Sequence, residues 1–263
     1  MKTSLSQEKS GRLIVAGIDN GTQSTKVICY DISTKTILAI GQSPHELIID
    51  NDGTREQKAE WWVEALKSSF SQIDSDIRKD IKAIGVSGQQ HGFVPIDSDG
   101  NVLYNVKLWC DTTTTEECNE ITEKYGGSEK LLKDGCNLIL PGYTAGKILW
   151  LKNHHKELYD KLDTILLPHD YINYVLTGEK TMEYGDASGT GLLNINERKW
   201  SENLLKCIDS ERDLSKCLPR LIESDDISGR VTKKASEFFG IPEGIIVSSG
   251  AGDNMACAIG TGT

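Results

Sequence analysis

Two stretches hold side chains whose types and spacing could do chemistry. In GIDNGTQSTK one acid, Asp19, ends an apolar run, and Gly21, Thr22, Gln23, Ser24 and Lys26 follow it. An Asn-Gly bend exposes backbone N–H groups, and a glycine lets an anion approach them closely. A carboxylate beside such a bend could hold Mg²⁺ through water. The set suits the terminal phosphates of a nucleotide, and an ordinary solvated hairpin accounts for the same residues. GxxxxGK[ST] is absent and no full GxGxxG follows a strand, so P-loop and dinucleotide-binding readings have little support. Far along the chain, SSGAGDN sets Asp253 in a glycine turn at an expected helix start. There a carboxylate is either a plain N-cap or a base able to take a hydroxyl proton. Between these stretches, SGQQHG places Gln90 and His91 in a glycine-bounded turn. Each can donate and accept, which suits vicinal hydroxyls, although a turn histidine needs no ligand.

The elements that must position these residues follow from periodicity. Leu13 to Ile18 is apolar, Lys26 to Asp31 alternates, and Thr36 to Gly41 follows a polar turn. With Asn20-Gly21 as a hairpin signal, the chain opens as an antiparallel meander. REQKAEWWVEALKSSFSQI then has helical spacing, with Trp62, Ala65, Leu66 and Phe70 on one stripe. IKAIGVSG returns to strand, and Asp99-Gly100 marks a second hairpin. From Thr112 to about Thr177 the pattern is mostly helical, punctuated by Gly126-Gly127 and Pro141-Gly142. ASGTGLLN reads as a short strand, followed by a helix that Ser201 caps. RVTKKASEFFG is a short helix closed by Gly240, and IPEGIIVSSG is a last strand. The order is mixed α/β and not a regular βαβ series.

Composition narrows the function. The chain has 263 residues, 38% hydrophobic and 26% charged, as in an ordinary globular protein with a substantial core. A net charge of −10 argues against nucleic-acid or anionic-membrane partners, which need a basic face. No apolar run approaches the roughly 18 residues needed to span a bilayer. Residues 1–12 are polar and lack a signal-peptide stretch, so a disordered tail is expected there. The 7 cysteines form no CxxC pair, and adjacent His154 and His155 cannot clamp one ion on a helix. Reduced thiols and a cytoplasmic location are therefore expected.

GIDNGTQSTK, EQKAEWW, GVSGQQHGFVPID, LWCDTTT, DYINYVLTG, DASGTGLLN with KWSENLL, and SSGAGDN occur in one order. The series resembles the N-terminal half of the FGGY carbohydrate kinases, from about Leu13 to Thr263. SGQQHG is its most diagnostic block and brings it nearest the branch that phosphorylates xylulose. The resemblance implies an α/β fold: an actin-like, ribonuclease-H-like domain whose mixed sheet is flanked by helices. It implies a kinase that converts D-xylulose to D-xylulose 5-phosphate, with ATP and Mg²⁺ bound between two such domains. Another pentulose or polyol of the same family is the alternative substrate. A non-catalytic sugar-binding domain is the alternative of another class.

By that resemblance Gly21, Thr22, Gln23, Ser24 and Lys26 face the phosphates, and Asp19 lies near the metal. Gln90 and His91 contact the sugar, Asp253 is the catalytic base, and Asn254 stands beside it. Asp111 would touch a sugar hydroxyl. The arginine that usually follows it in the family is absent, with Thr113 and its neighbours there instead, and Gly146 replaces a common proline. The family's length implies that residues 13–263 are one half, and that a C-terminal nucleotide-binding domain is a missing partner. Alone, this chain is expected to bind sugar weakly and to transfer phosphate at no more than background. A homodimer is a further expectation.

Overall fold

The computed structural model describes residues 12–263. The expected tail at 1–12 lies, except for Arg12, outside the described residues. Strands Ile14–Asn20, Ser24–Asp31 and Thr36–Pro44 form the expected antiparallel meander. Alternation drives it. Ile14, Ala16, Ile18, Val27 and Cys29 turn to one face and are buried, while Gly17 and Asp19 open to the other. Strand Ile81–Gly88 joins Ile14–Asn20 in parallel. Strand Ile246–Ser248 continues the sheet in parallel, and Ile227–Arg230 closes that edge antiparallel. Ala251–Gly252 also pairs with Ile81–Gly88, beyond Ile246–Ser248. The sheet is mixed, as expected.

Helices Ala59–Ser71, Pro168–Thr177 and Lys233–Phe239 contribute to the sheet's core. The stripe of Trp62, Ala65, Leu66 and Phe70 is buried; Trp62 meets Tyr171 edge-on and Phe70 meets Phe239. A second core unites helices Thr115–Tyr125, Thr144–His154 and Glu202–Ile208. The first helix lies very close on Thr36–Pro44. A Cβ at Gly41 would land on the Ser69 carbonyl oxygen, which is backbone and cannot swing aside. Gly41→Ala should therefore cost about 1–3 kcal/mol, the usual scale of overpacking. Thermal unfolding of the variant checks this, and an unchanged melting temperature would show that the helix gives way freely.

Two local expectations are corrected. The opening hairpin does not bend at Asn20-Gly21. Asn20 is the last strand residue, paired with Thr25, and neither Asn20 nor Gly21 has a positive φ. The turn is Gly21 to Gln23, closed by Gly21 N–H donating to Ser24 O at 3.1 Å. Buried Asn20 accepts from Thr25 Oγ1 at 3.0 Å, and this side-chain bond extends the ladder by one rung. The second correction concerns ASGTGLLN. Its first residues lie in a helix, Tyr184–Gly189, and strand follows only at Leu193–Asn194. The Glu183 carboxylate starts that helix by accepting from Gly185 N and Asp186 N.

Candidate active site

Three neighbouring parallel strands end at one place. The register sets Asp19, Ser87 and Ala251 in one row, and Asn20, Gly88 and Gly252 in the next. The loops that leave these carboxyl ends carry the opening turn, Gln90 with His91, and Asp253 with Asn254. Crevices at such strand ends are where open α/β sheets bind ligands.

His91 holds a positive φ of 61°, uncommon for a residue with a side chain. Its carbonyl is clamped from helix Thr144–His154: Lys147 Nζ donates to it at 2.8 Å and Thr144 Oγ1 at 3.2 Å. The same ammonium donates to Gly142 O at 2.8 Å. Lys147 is fully buried, and burial drives its pKa down to about 7 although Asp111 pulls it up. The His91 ring lies over Gly189, where a Cβ would come within 2.5 Å of it, and against Tyr143. Burial, then Lys147, lowers its pKa. The result is a neutral imidazole whose buried Nδ1 has no partner among the described residues. Such a nitrogen suits one end of a hydroxyl hydrogen bond.

Asp253 opens helix Asp253–Thr261, and Gly252 takes the N-cap position. The plain N-cap reading therefore fails for Asp253. Among the described residues its carboxylate accepts only from the adjacent Asn254 N–H, at 2.9 Å. Burial raises its pKa, and the charges of Asp19 and Asp186 add to that against the Asn254 hydrogen bond. Asn254 Nδ2 donates to Gln90 Oε1 at 2.9 Å. Residues 164 positions apart are thus joined at the strand ends.

The opening turn is more tied down than its composition suggests. Thr22 Oγ1 donates to Gln89 Oε1 at 3.2 Å and accepts from Trp109 Nε1 at 3.1 Å. Buried Gln57 donates to Thr22 O and accepts from both Trp62 and Gln89. EQKAEWW therefore does more than begin a helix: it braces the turn. Ser24 Oγ accepts from Gln42. The Thr22 and Gln23 amides have no acceptor among the described residues, so backbone N–H groups, more than hydroxyls, are available to an anion. Asp19 opens to solvent across from Lys26; burial raises its pKa and Lys26 opposes the rise. An open carboxylate beside free amides fits a magnesium–phosphate group.

Asp111 underlies the site and does not line it. It is fully buried, with Oδ2 accepting from Arg55 N at 2.8 Å and Oδ1 from Thr113 N and Oγ1 at 3.0 and 2.6 Å. Its cation is Lys107, at 3.5 Å, which also pairs with Glu56 at 3.0 Å and sits 3.9 Å over Trp150. Two buried residues near Asp253 escaped the sequence reading, His169 and Asp186. With Asp170 they bring potential metal-ligand atoms within 4.8 Å of one another. The ring nitrogens face Asp186 Oδ2 and Ser249 O, so both donate and neither keeps a lone pair for a metal. The signal that could have found them is the run of glycines at 88, 250 and 252, which makes room for them.

The 7 cysteines are all free thiols, 4 of them buried. Among the described residues no helix is long and apolar enough to cross a membrane. The N-terminal domain of the FGGY family of carbohydrate kinases matches residues 14–260. Xylulose kinase of Haemophilus influenzae is 39% identical over 253 residues, which are 94% of this chain and 51% of that protein. Xylulose kinase of Bacillus subtilis is 38% identical over 251 residues, covering 94% of this chain and 49% of its own. The crystal structure of ligand-bound xylulose kinase from Lactobacillus acidophilus superposes with a TM-score of 0.83 at 25% identity, covering 95% of this chain and 50% of that one. The chain spans about half the length of the curated relatives it matches. The strand order, the meeting of Asp19, Gln90, His91 and Asp253 at the strand ends, and the match over 14–260 agree: this chain belongs to the FGGY family of carbohydrate kinases, as their N-terminal domain.

Proposed function

We propose that the whole protein phosphorylates D-xylulose with ATP, giving D-xylulose 5-phosphate and ADP, and that this chain supplies the sugar site and the base. The observation that carries the reading is the convergence of Gln90, His91, Asn254 and Asp253 at one set of strand ends. The similarity to proteins named xylulose kinase supports xylulose as the sugar. Gln90 and His91 hold vicinal hydroxyls. Asp253 accepts the proton of the attacking C5 hydroxyl as its oxygen bonds to the γ-phosphorus of ATP and the bond from that phosphorus to the bridging oxygen breaks, releasing ADP. The Thr22 and Gln23 amides steady the phosphate, and Asp19 would hold Mg²⁺ through water. Mg²⁺, when bound, neutralises charge on the phosphoryl group. A coupled ADP-release assay on the whole protein tests the reading. D-xylulose should give the highest kcat/KM among ketoses and polyols. A polyol that outruns it would replace the substrate, and no sugar-dependent release would leave only a binding domain.

His91 provides a separate check on the sugar site. His91→Ala should weaken ketose binding by about 1–3 kcal/mol, the cost of leaving a buried polar partner unpaired. Asn tolerates a positive φ and keeps a hydrogen-bonding side chain, so His91→Asn should lose less. Calorimetry with D-xylulose reads both variants. Unchanged affinity in His91→Ala would remove His91 from the site.

A further inference from the structure

The turn that delivers Asp253 is moulded on a buried ion pair. His169 lies at the start of helix Pro168–Thr177 and Asp186 lies in helix Tyr184–Gly189; both are fully buried. His169 Nδ1 donates to Asp186 Oδ2 at 2.5 Å, and Nε2 donates to Ser249 O at 3.1 Å. Burial alone would leave the ring neutral, but Asp170 and Asp186 outweigh it and hold the pKa up to about 10. His169 Nε2 also lies 3.2 Å from Asp170 Oδ1, so the ring is set between two buried carboxyl groups, and burial pushes the Asp170 carboxyl up.

Three glycines close over this pair. A Cβ at Gly88 would lie 2.9 Å from the His169 backbone N and its Cβ. One at Gly250 would lie 2.9 Å from the imidazole Cδ2. One at Gly252 would lie 2.6 Å from Asp186 Oδ1 and equally close to Gln90 Nε2. Asp186 Oδ1 has no hydrogen-bond partner among the described residues. A buried carboxylate oxygen without a donor is costly, and the Gln90 amide flanks the same Gly252 position. Gln90 Oε1 already accepts from Asn254, the neighbour of Asp253. Closing the one gap, from Gln90 Nε2 to Asp186 Oδ1, makes a continuous chain from His169 through Asp186 and Gln90 to Asn254.

We propose that Asp186, fixed by His169, is a positioning residue for phosphoryl transfer: its free oxygen takes the Gln90 amide and sets the Gly252 backbone so that Asp253 faces the sugar hydroxyl. The proposal rests on the kinase reading above. It gives Gly252 a purpose beyond turning the chain, since a side chain there would meet the Asp186 carboxylate and the Gln90 amide, whereas one at Gly250 would strike the Val86 carbonyl before the imidazole.

The test uses Asp186→Asn, His169→Asn and His169→Ala in the whole protein, each measured for kcat, ketose KM, melting temperature and the NMR signals of the Gln90 side-chain amide. Misplacing a base by about an ångström costs on the order of 10²-fold, so Asp186→Asn should lower kcat by about 10–100-fold. Ketose KM should rise too, because Gln90 also serves the sugar, but by a smaller factor than kcat falls, since Gln90 keeps a second amide proton for a hydroxyl. His169→Asn keeps a donor where Nδ1 stood and should recover much of the kcat that His169→Ala loses. A purely structural pair would give equal kcat in those two variants, scaled only by folded fraction, and that result would overturn the proposal. So would wild-type kcat in a folded Asp186→Asn protein. If the wild type shows no sugar-dependent turnover, the kinase reading fails and the Gln90 amide decides the geometry. With D-xylulose present its protons should exchange slowly in wild type and quickly in Asp186→Asn, and no difference would overturn the link.

Discussion

Asp19→Ala in the whole protein should abolish most turnover and leave ketose affinity nearly intact. The loss should be on the order of 10²–10³-fold, the scale set by removing one fixed group that stabilises transition-state charge. The register explains the split. Asp19 shares a row with Ser87 and Ala251, so it stands level with the residues before Gly88 and Gly252 and close enough for its charge to act on Asp253. Gln90 and His91, which we propose hold the sugar, come from a different loop. Asp19 itself opens to solvent and makes no buried side-chain hydrogen bond among the described residues, so stability should change by no more than about 0.5 kcal/mol. Initial rates over a Mg²⁺ series, calorimetry with D-xylulose and a melting curve separate the effects. Wild-type turnover would return the opening turn to a plain hairpin. A matching loss of sugar affinity would place Asp19 at the sugar instead of the phosphate.

What the sequence made legible was what local pattern controls. Alternation drew the meander, the stripe of Trp62, Leu66 and Phe70 drew the first helix, and Gly240 ended its helix in the expected left-handed conformation. The functional loops were legible because they are polar stretches set in glycines, and three of them do meet. What stayed hidden was burial of charge. Lys107 and Lys147 look like solvent-facing lysines on any pattern count, yet both are buried and braced by partners distant in the chain. Lys147 holds the strained His91 carbonyl 56 residues away, which no periodicity reports. Lys107, four residues before Asp111, supplies a cation where the sequence showed only threonines after it. His169 and Asp186 stayed hidden for the same reason: their partners are each other and the Ser249 carbonyl, distant in the chain. The Asn20-Gly21 turn was misplaced because a buried side-chain bond to Thr25 outweighed the local preference.

Asp253→Asn should keep the fold and lose on the order of 10²–10⁴-fold in kcat, the contribution of a positioned general base. A sugar hydroxyl has a pKa far above neutrality, so transfer at pH 7 needs an acceptor for its proton in the transition state. Asp253 is the candidate because one of its carboxylate oxygens has no hydrogen-bond partner among the described residues. Gly252 occupies the N-cap position, the Asn254 amide occupies one oxygen, and the rest of the group is half-buried beside the strand ends. Asn matches it in shape and can take the same neighbour contact, so the melting temperature and ketose affinity should hold while rate falls. The acid limb follows from the same surroundings. Burial, reinforced by Asp19 and Asp186, raises the Asp253 pKa above its ordinary 3.8, and the base works only when ionised. Activity should therefore begin to fail at a higher pH than an ordinary carboxylate would allow as pH drops. Removing the charge of Asp19 or Asp186 should move that limb toward lower pH in whatever turnover remains. Single-turnover kinetics of Asp253→Asn, with a pH profile of the wild type beside it, read both claims. A fully active Asp253→Asn enzyme would end the base assignment. An acid limb at or below the ordinary carboxylate value would mean that the groups around Asp253 do not tune it.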